Sequence, residues 1–181
     1  MEITTDRLLL REVVEADVAA LVAYQTDPRS AEFQADAVPD FARKLVGHFR
    51  LWAVELPRRN YQLAVALRER PRELIGCCGV RGERLESGSA EFGIELDPRW
   101  WGRGVASEAS RAILGFGFRE LGLEEVRALS VTENSRLSHL VSKLGFSVLD
   151  RRPGPDWMAV RGWSQTEWQL RREQWKALEA A

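Results

Sequence analysis

Between Asp97 and Ala109 the chain reads Asp-Pro-Arg-Trp-Trp-Gly-Arg-Gly-Val-Ala-Ser-Glu-Ala, running from a strand-like segment through two glycines into the start of a helix. Ala90 to Leu96 alternates Glu91, Gly93 and Glu95 with Phe92, Ile94 and Leu96, the period of two of a strand, and Ser107 to Glu120 reads as a helix. Gly102 and Gly104 carry no Cβ, so the backbone there can approach a bulky ligand and take positive φ. The N–H groups of a first helical turn lack intrahelical partners and sit at the positive end of the helix dipole, an arrangement that favours phosphate. A plain strand-to-helix turn would use the same glycines, so the surrounding elements decide what the loop is for.

Those elements can be read along the chain. Ile3 to Val13 is expected as a first strand, Glu15 to Thr26 as an amphipathic helix ended by Asp27-Pro28, and Phe41 to Leu56 as a second helix stopped by Pro57. Tyr61 to Leu67 and Glu73 to Arg81 read as antiparallel strands joined at Arg68 to Arg72, with a further turn at Glu83 to Gly88. After the Ser107 helix come Gly122, a strand over Glu125 to Val131, and a helix over Asn134 to Leu144 closed by Gly145. A strand over Phe146 to Arg151, a last strand over Trp163 to Arg171 and a short terminal helix complete the chain. Helix followed by strand implies a parallel crossover. The expected fold is therefore a single α/β (α+β) domain over residues 1–181, its sheet mixed and mostly antiparallel, with helices on both faces.

Composition narrows the function classes. A chain of 181 residues is long enough to bury about 70% of its unfolded surface without metal or disulfides. With 26 basic and 27 acidic residues and no long run of either sign, it lacks the basic footprint of nucleic-acid binding. Cys77 and Cys78 are neighbours in a strand-like run and point to opposite faces, so they are expected as buried thiols rather than a disulfide. His48 and His139 stand apart from other ligand types, and no metal is expected. The N-terminus has no apolar signal core and no apolar run approaches 18 residues, so no membrane association and a cytoplasmic location are expected.

The element order together with two spaced motifs resembles the GNAT superfamily of acyl-CoA-dependent N-acetyltransferases. Trp101-Gly102-Arg103-Gly104-Val105-Ala106 is similar to that family's pyrophosphate loop (Gln or Arg, two residues, Gly, one residue, Gly or Ala), departing at Trp101. Asn134 followed by Lys143-Leu144-Gly145-Phe146 is similar to its asparagine-to-Gly-Phe segment. The opening Thr5-Asp6-Arg7-Leu8-Leu9-Leu10-Arg11 with Asp17, and Ala90-Glu91-Phe92-Gly93-Ile94, resemble the RimJ/RimL-type branch that acetylates protein N-termini. The resemblance implies acetyl-CoA as co-substrate and a primary amine, on a protein N-terminus or a small molecule, as acceptor. It implies that the strands through Leu96 and Val131 splay apart to take the pantetheine arm as an extra strand would be taken. It further implies pyrophosphate on the N–H groups of Gly102 to Ala106, with Arg103 and Arg99 or Arg111 adding charge, and Asn134 on the pantetheine; Asn134 also fits a helix N-cap.

Acetyl transfer to an amine needs a base, an oxyanion donor and departure of a thiolate. Glu91 and Glu95 are the candidate bases, with a backbone N–H near Leu96 as oxyanion donor. The hydroxyls that relatives carry three and seven residues after the asparagine are Leu137 and Val141 here, which leaves Ser138 as the candidate acid; a thiol of pKa about 8.5 can also leave unassisted. Trp157, Met158 and Trp163 are candidates for shaping an acceptor pocket or for core or dimer packing, and a homodimer is left open. Two other classes compete. A dinucleotide-binding reading takes Gly102-x-Gly104-x-x-Ser107 with Glu124 and Glu125, but lacks the third glycine. A non-catalytic acyl-CoA sensor or interaction module would keep the loop and lack turnover.

Overall fold

The computed structural model describes residues 1–35, 40–82 and 88–180. The turn expected at Glu83 to Gly88 lies outside these, apart from Gly88 itself. Among the described residues eight strands form one sheet in the order β1-β2-β3-β4-β5-β6-β8-β7. They are β1 (Glu2–Thr4), β2 (Leu8–Glu12), β3 (Asn60–Leu67), β4 (Arg70–Arg81), β5 (Ser89–Leu96), β6 (Glu125–Val131), β7 (Ser147–Pro153) and β8 (Ser164–Arg171). Every neighbouring pair is antiparallel except β5 with β6. The α-helices among the described residues are α1 (Val18–Gln25), α2 (Pro28–Ala31), α3 (Phe41–Ala53), α4 (Val105–Arg119), α5 (Ser135–Lys143), α6 (Asp156–Ala159) and α7 (Arg172–Glu179).

The differences from expectation have local causes. The first strand is two, because the Thr5 N–H donates to the Leu8 carbonyl at 3.0 Å and the Thr5 hydroxyl accepts from the Leu8 N–H at 2.9 Å, reversing the chain. The first helix starts as a 3₁₀ turn, Glu15–Asp17, where the Asp17 carboxylate accepts from the Val14 N–H at 2.9 Å and from both Nη atoms of Arg11 at 2.8 Å. α3 ends at Ala53, three residues before Leu56. α4 begins at Val105, two residues earlier than Ser107, because Gly104 at φ 76° supplies the left-handed N-cap.

Alternation along β3 divides the core. Leu63 and Val65 pack with Ile113, Leu114 and Phe118 of α4, whereas Ala64 joins Val46 and Phe49 of α3 and Leu21 of α1 on the other face. Cys78 falls in the first cluster and Cys77 in the second, both buried and free. The sheet is thus covered on both faces, and its one parallel junction lies where β5 runs out toward the Gly102–Gly104 turn. Among the described residues no helix is long and apolar enough to cross a membrane.

Candidate active site

β5 and β6 pair only from Ser89 with Glu125 to Phe92 with Ala128, although β5 continues to Leu96 and β6 to Val131. Beyond Phe92 each strand keeps its outer neighbour, Gly93 to Leu96 on β4 and Leu129 to Val131 on β8, so a gap opens between them. The Asp97 N–H bonds to the Ile75 carbonyl across β4, and by alternation the main-chain groups of Leu96 and Ile94 face the gap. The Trp101 indole N–H donates to the Leu96 carbonyl at 3.0 Å and closes one end of it. This leaves the Leu96 N–H turned toward the opening. Trp101 therefore has a structural job at the position where it departs from the family pattern, and Arg136 stacks its guanidinium 4.4 Å from the Trp101 ring.

The glycine loop follows directly on Trp101 and lines the same cleft. Gly102 and Gly104 have φ of 72° and 76°, and a Cβ on Gly102 would meet nothing within 4 Å, so the loop surface is open. Gly104 caps α4 without a side chain, so the N–H groups of Val105, Ala106 and Ser107 have neither an intrahelical acceptor nor a capping oxygen. An anionic ligand is the complement of that arrangement. The loop is braced from the N-terminus: Glu108 accepts from the Thr5 hydroxyl at 2.6 Å, the Arg7 N–H at 3.0 Å and Arg7 Nε at 2.7 Å, while Arg7 Nη1 donates to the Arg103 carbonyl at 3.1 Å.

Two cavities meet at β5. A cleft of about 800 Å³ runs past Trp101, Gly102, Ala106, Asn134, Leu96 and Tyr24, and a pocket of about 330 Å³ lies under Leu21, Phe41, Leu45 and Phe49. Ile94, Glu95 and Leu137 line both. The Glu95 carboxylate accepts from Gln25 Nε2 at 3.2 Å and lies 3.5 Å from the Tyr24 hydroxyl. Burial raises its pKa above the ordinary carboxylate value, opposed in part by the Gln25 hydrogen bond, the Arg81 charge and the Tyr24 hydroxyl. A carboxylate with a raised pKa at the junction of two cavities is equipped to take a proton from a group entering either one. Tyr24 and Cys77 beside it are held protonated, mainly by burial.

The other candidates separate. Glu91 accepts from Arg81 Nη2 at 2.6 Å and lines the smaller pocket but not the cleft. Asn134 lines the cleft and caps α5, its Oδ1 accepting from the Leu137 N–H at 3.1 Å, a bond that does not use its Nδ2 donors. Ser138 lines neither cavity: one residue is a turn of about 100°, so Leu137 takes the inward position and Ser138 turns away. Val141 is fully buried core. Of the loop, Trp101, Gly102 and Ala106 line the cleft; Val105 is core, and Arg103 is exposed with its guanidinium 5.3 Å from the Trp100 ring. Arg99 is bound to Asp97, and Arg111 is exposed on α4. The arginines that line the cleft among the described residues, Arg29 and Arg136, sit on α2 and α5, and nothing in their spacing marks them out beforehand. Trp157, Met158 and Trp163 line neither cavity; Trp163 packs on Phe33, whose side chain forms part of the cleft wall. Among the described residues no group of three or more His, Cys, Asp or Glu side chains is placed to hold a metal.

A mixed sheet that splays at its one parallel pair, with a glycine-capped helix at one end of the gap, defines an acetyltransferase-type fold. Residues 7–147 match the acetyltransferase (GNAT) domain, and the chain belongs to that family. It is similar to the uncharacterized N-acetyltransferase p20 of Bacillus licheniformis, 30% identical over 146 residues that span 78% of this chain and 80% of that one. Among solved structures it resembles a putative ribosomal-protein-serine acetyltransferase from Vibrio cholerae, with a TM-score of 0.78, 20% identity and coverage of 94% and 97% of the two chains. It also resembles the spermidine N-acetyltransferase of Vibrio cholerae in complex with CoA and spermine, with a TM-score of 0.75, 16% identity and coverage of 94% and 99%.

Proposed function

We propose that this chain transfers an acetyl group from acetyl-CoA to a primary amine by direct attack on the thioester, with Glu95 as the base. The observation that carries the reading is the place of Glu95, on the wall shared by the long cleft and the smaller pocket. The cleft fits CoA: the positive-φ glycines leave its loop surface open, and the N–H groups at the start of α4 suit a pyrophosphate. The unpaired β5 edge at Ile94 and Leu96 suits an amide-bearing arm. A fold relative with CoA and spermine in its structure supports the same assignment.

In this reading the smaller pocket admits the amine, and Glu95 takes its proton so that the neutral nitrogen can attack. The Leu96 N–H, turned into the gap, offers a hydrogen bond to the oxygen on which charge develops. Asn134 Nδ2 holds the arm that carries the thioester. A thiol of pKa about 8.5 is a serviceable leaving group near neutral pH, so the apolar Leu137 and Val141 do not prevent turnover. Resemblance to both a ribosomal-protein and a spermidine acetyltransferase leaves the acceptor as a protein N-terminus or a small amine.

Calorimetric titration with acetyl-CoA, desulfo-CoA and NADH, paired with thiol release over an amine panel, tests the reading. Micromolar binding of both CoA ligands, none of NADH, and amine-dependent thiol release are expected. Binding without release would make the protein an acyl-CoA sensor, and absence of CoA binding would remove the assignment of the cleft.

A further inference from the structure

The smaller pocket has a charge layout that selects its acceptor. Across β3, β4 and β5 the registers Asn60–Arg81–Glu91, Gln62–Gly79–Gly93 and Ala64–Cys77–Glu95 stack on one face of the sheet. The middle row has two glycines, and long side chains lie down over them. A Cβ on Gly79 would stand 2.5 Å from Gln62 Oε1, and a Cβ on Gly93 would stand 2.6 Å from Arg81 Nη2. Only glycine at both positions lets the carboxamide and the guanidinium form the pocket floor.

Along β5 the two carboxylates are four residues apart, about 13 Å from Cα to Cα. Their states differ. Glu91 is bound by Arg81 at 2.6 Å, so that end of the pocket carries a neutral ion pair whose cationic member lies over Gly93, between Glu91 and Glu95. Among the described residues no cation is bonded to Glu95; its partners are the Gln25 amide and the Tyr24 hydroxyl. Gln62 is 5% exposed and its Oε1 has no hydrogen-bond partner among the described residues, although it lines the pocket. Cys77 adds no charge there, and Leu21, Leu45 and Phe49 supply an apolar roof.

We infer that the pocket takes an amine bearing a single positive charge, with a neutral hydrogen-bond donor a few atoms away, and rejects polyamines. The one ammonium goes to Glu95, an uncharged body lies on the floor that Arg81 and Gln62 form over Gly93 and Gly79, beneath the apolar roof, and a hydroxyl or amide N–H satisfies Gln62. A second ammonium finds Glu91 already neutralised and is placed against the Arg81 guanidinium, a like-charge contact in a partly buried site. Arg81 is thus the residue that determines specificity, with Gln62 selecting the neutral donor. The inference rests on the transferase reading above and narrows it.

Three amines of one chain length separate the possibilities: 5-aminopentan-1-ol, n-pentylamine and pentane-1,5-diamine, each assayed by thiol release from saturating acetyl-CoA. The wild-type kcat/KM is expected to favour the amino alcohol over the diamine by at least about tenfold. Arg81→Met, which frees Glu91 and keeps an apolar stem over Gly93, is expected to move that ratio toward the diamine by a similar factor. Gln62→Leu is expected to erase the advantage of the amino alcohol over n-pentylamine. Wild-type preference for the diamine, or equal use of it, overturns the inference while leaving the transferase reading intact, and so does an unchanged ratio in a folded Arg81→Met. Should that variant not fold, the wild-type ratio alone decides. Absence of thiol release with all three overturns the inference, whereas the transferase reading, which also admits protein N-termini, falls only if acetyl-CoA is not bound or no amine of the wider panel, peptides included, releases thiol.

Discussion

The Tyr24 hydroxyl, carried on α1, lies 3.5 Å from Glu95 Oε2 on β5, and both side chains line the same cleft. A hydroxyl directed at a carboxylate favours its charged form, so this contact holds the Glu95 pKa below the level burial alone would set. Tyr24→Phe is therefore expected to raise the Glu95 pKa further. The acid limb of the kcat/KM profile moves to higher pH, with a plateau rate within about tenfold of wild type, since the base itself is retained. A pH–rate profile of the two proteins reads this directly; an unmoved limb would separate Tyr24 from the base.

Glu95 should also cost stability where it is ionised. Its folded pKa is raised, so the native state binds the proton more tightly than the unfolded chain does. The sign follows: the favourable contribution of protonated Glu95 is fully present below the unfolded carboxylate pKa and is lost as pH rises through the folded value. Glu95→Gln, which stays neutral and still accepts from Gln25, should melt a few degrees higher than wild type at pH 8. The difference should disappear below about pH 4, under the unfolded carboxylate value. Thermal melts across that range check it, and equal Tm values at pH 8 would contradict a buried ionised Glu95.

Much of this site is legible in the sequence itself. The alternation from Ala90 to Leu96 places β5 within one residue of its observed start, and Glu125 to Val131 matches β6. Gly102 and Gly104 occupy the positive-φ positions that their lack of a Cβ allows. The helix starts at Val105 rather than at Ser107 because Gly104, at positive φ, itself caps α4 without a side chain. What periodicity does not carry is which residues on different strands share a row. Arg81 over Gly93, Gln62 over Gly79 and Cys77 beside Glu95 depend on the register of three strands, and Tyr24 and Gln25 reach Glu95 from a helix some seventy residues earlier in the chain. The failure of Ser138 to reach a cavity is of the same kind: the phase of α5, set by its packing, turns Leu137 inward.

Gly104→Ala tests the loop. At φ 76° a Cβ costs roughly 1–2 kcal/mol of backbone strain, and here it would also stand 3.4 Å from Arg7 Nη2. The expected result is a drop in stability of about that size and a weaker calorimetric affinity for CoA, while the pH dependence of turnover is unchanged. Unaltered CoA affinity in the folded variant would show that the loop does not hold the ligand.

The tether between Arg7 and Glu108 makes a separate prediction. Burial would raise the Glu108 pKa, but the Thr5 hydroxyl and the Arg7 N–H and guanidinium outweigh it and bring the pKa below its ordinary value. Its stabilising contribution is therefore present above the unfolded carboxylate pKa and lost as pH falls through the lower folded value. Glu108→Gln should be destabilised by about 1 kcal/mol at neutral pH. It should also weaken CoA binding by a few-fold, because the α4 N-terminus loses its brace. Denaturant melts at pH 7 and at low pH, where the gap should narrow, decide it.

The most direct test of the whole account is thiol release from saturating acetyl-CoA by wild type and Glu95→Gln, on an amine the wild type uses, with CoA affinity measured in parallel. The expected outcome is a loss in kcat/KM of about a hundredfold or more with CoA affinity essentially unchanged. A Glu95→Gln protein that releases thiol as fast as wild type would contradict the assignment of Glu95 as the base at the meeting point of the two cavities.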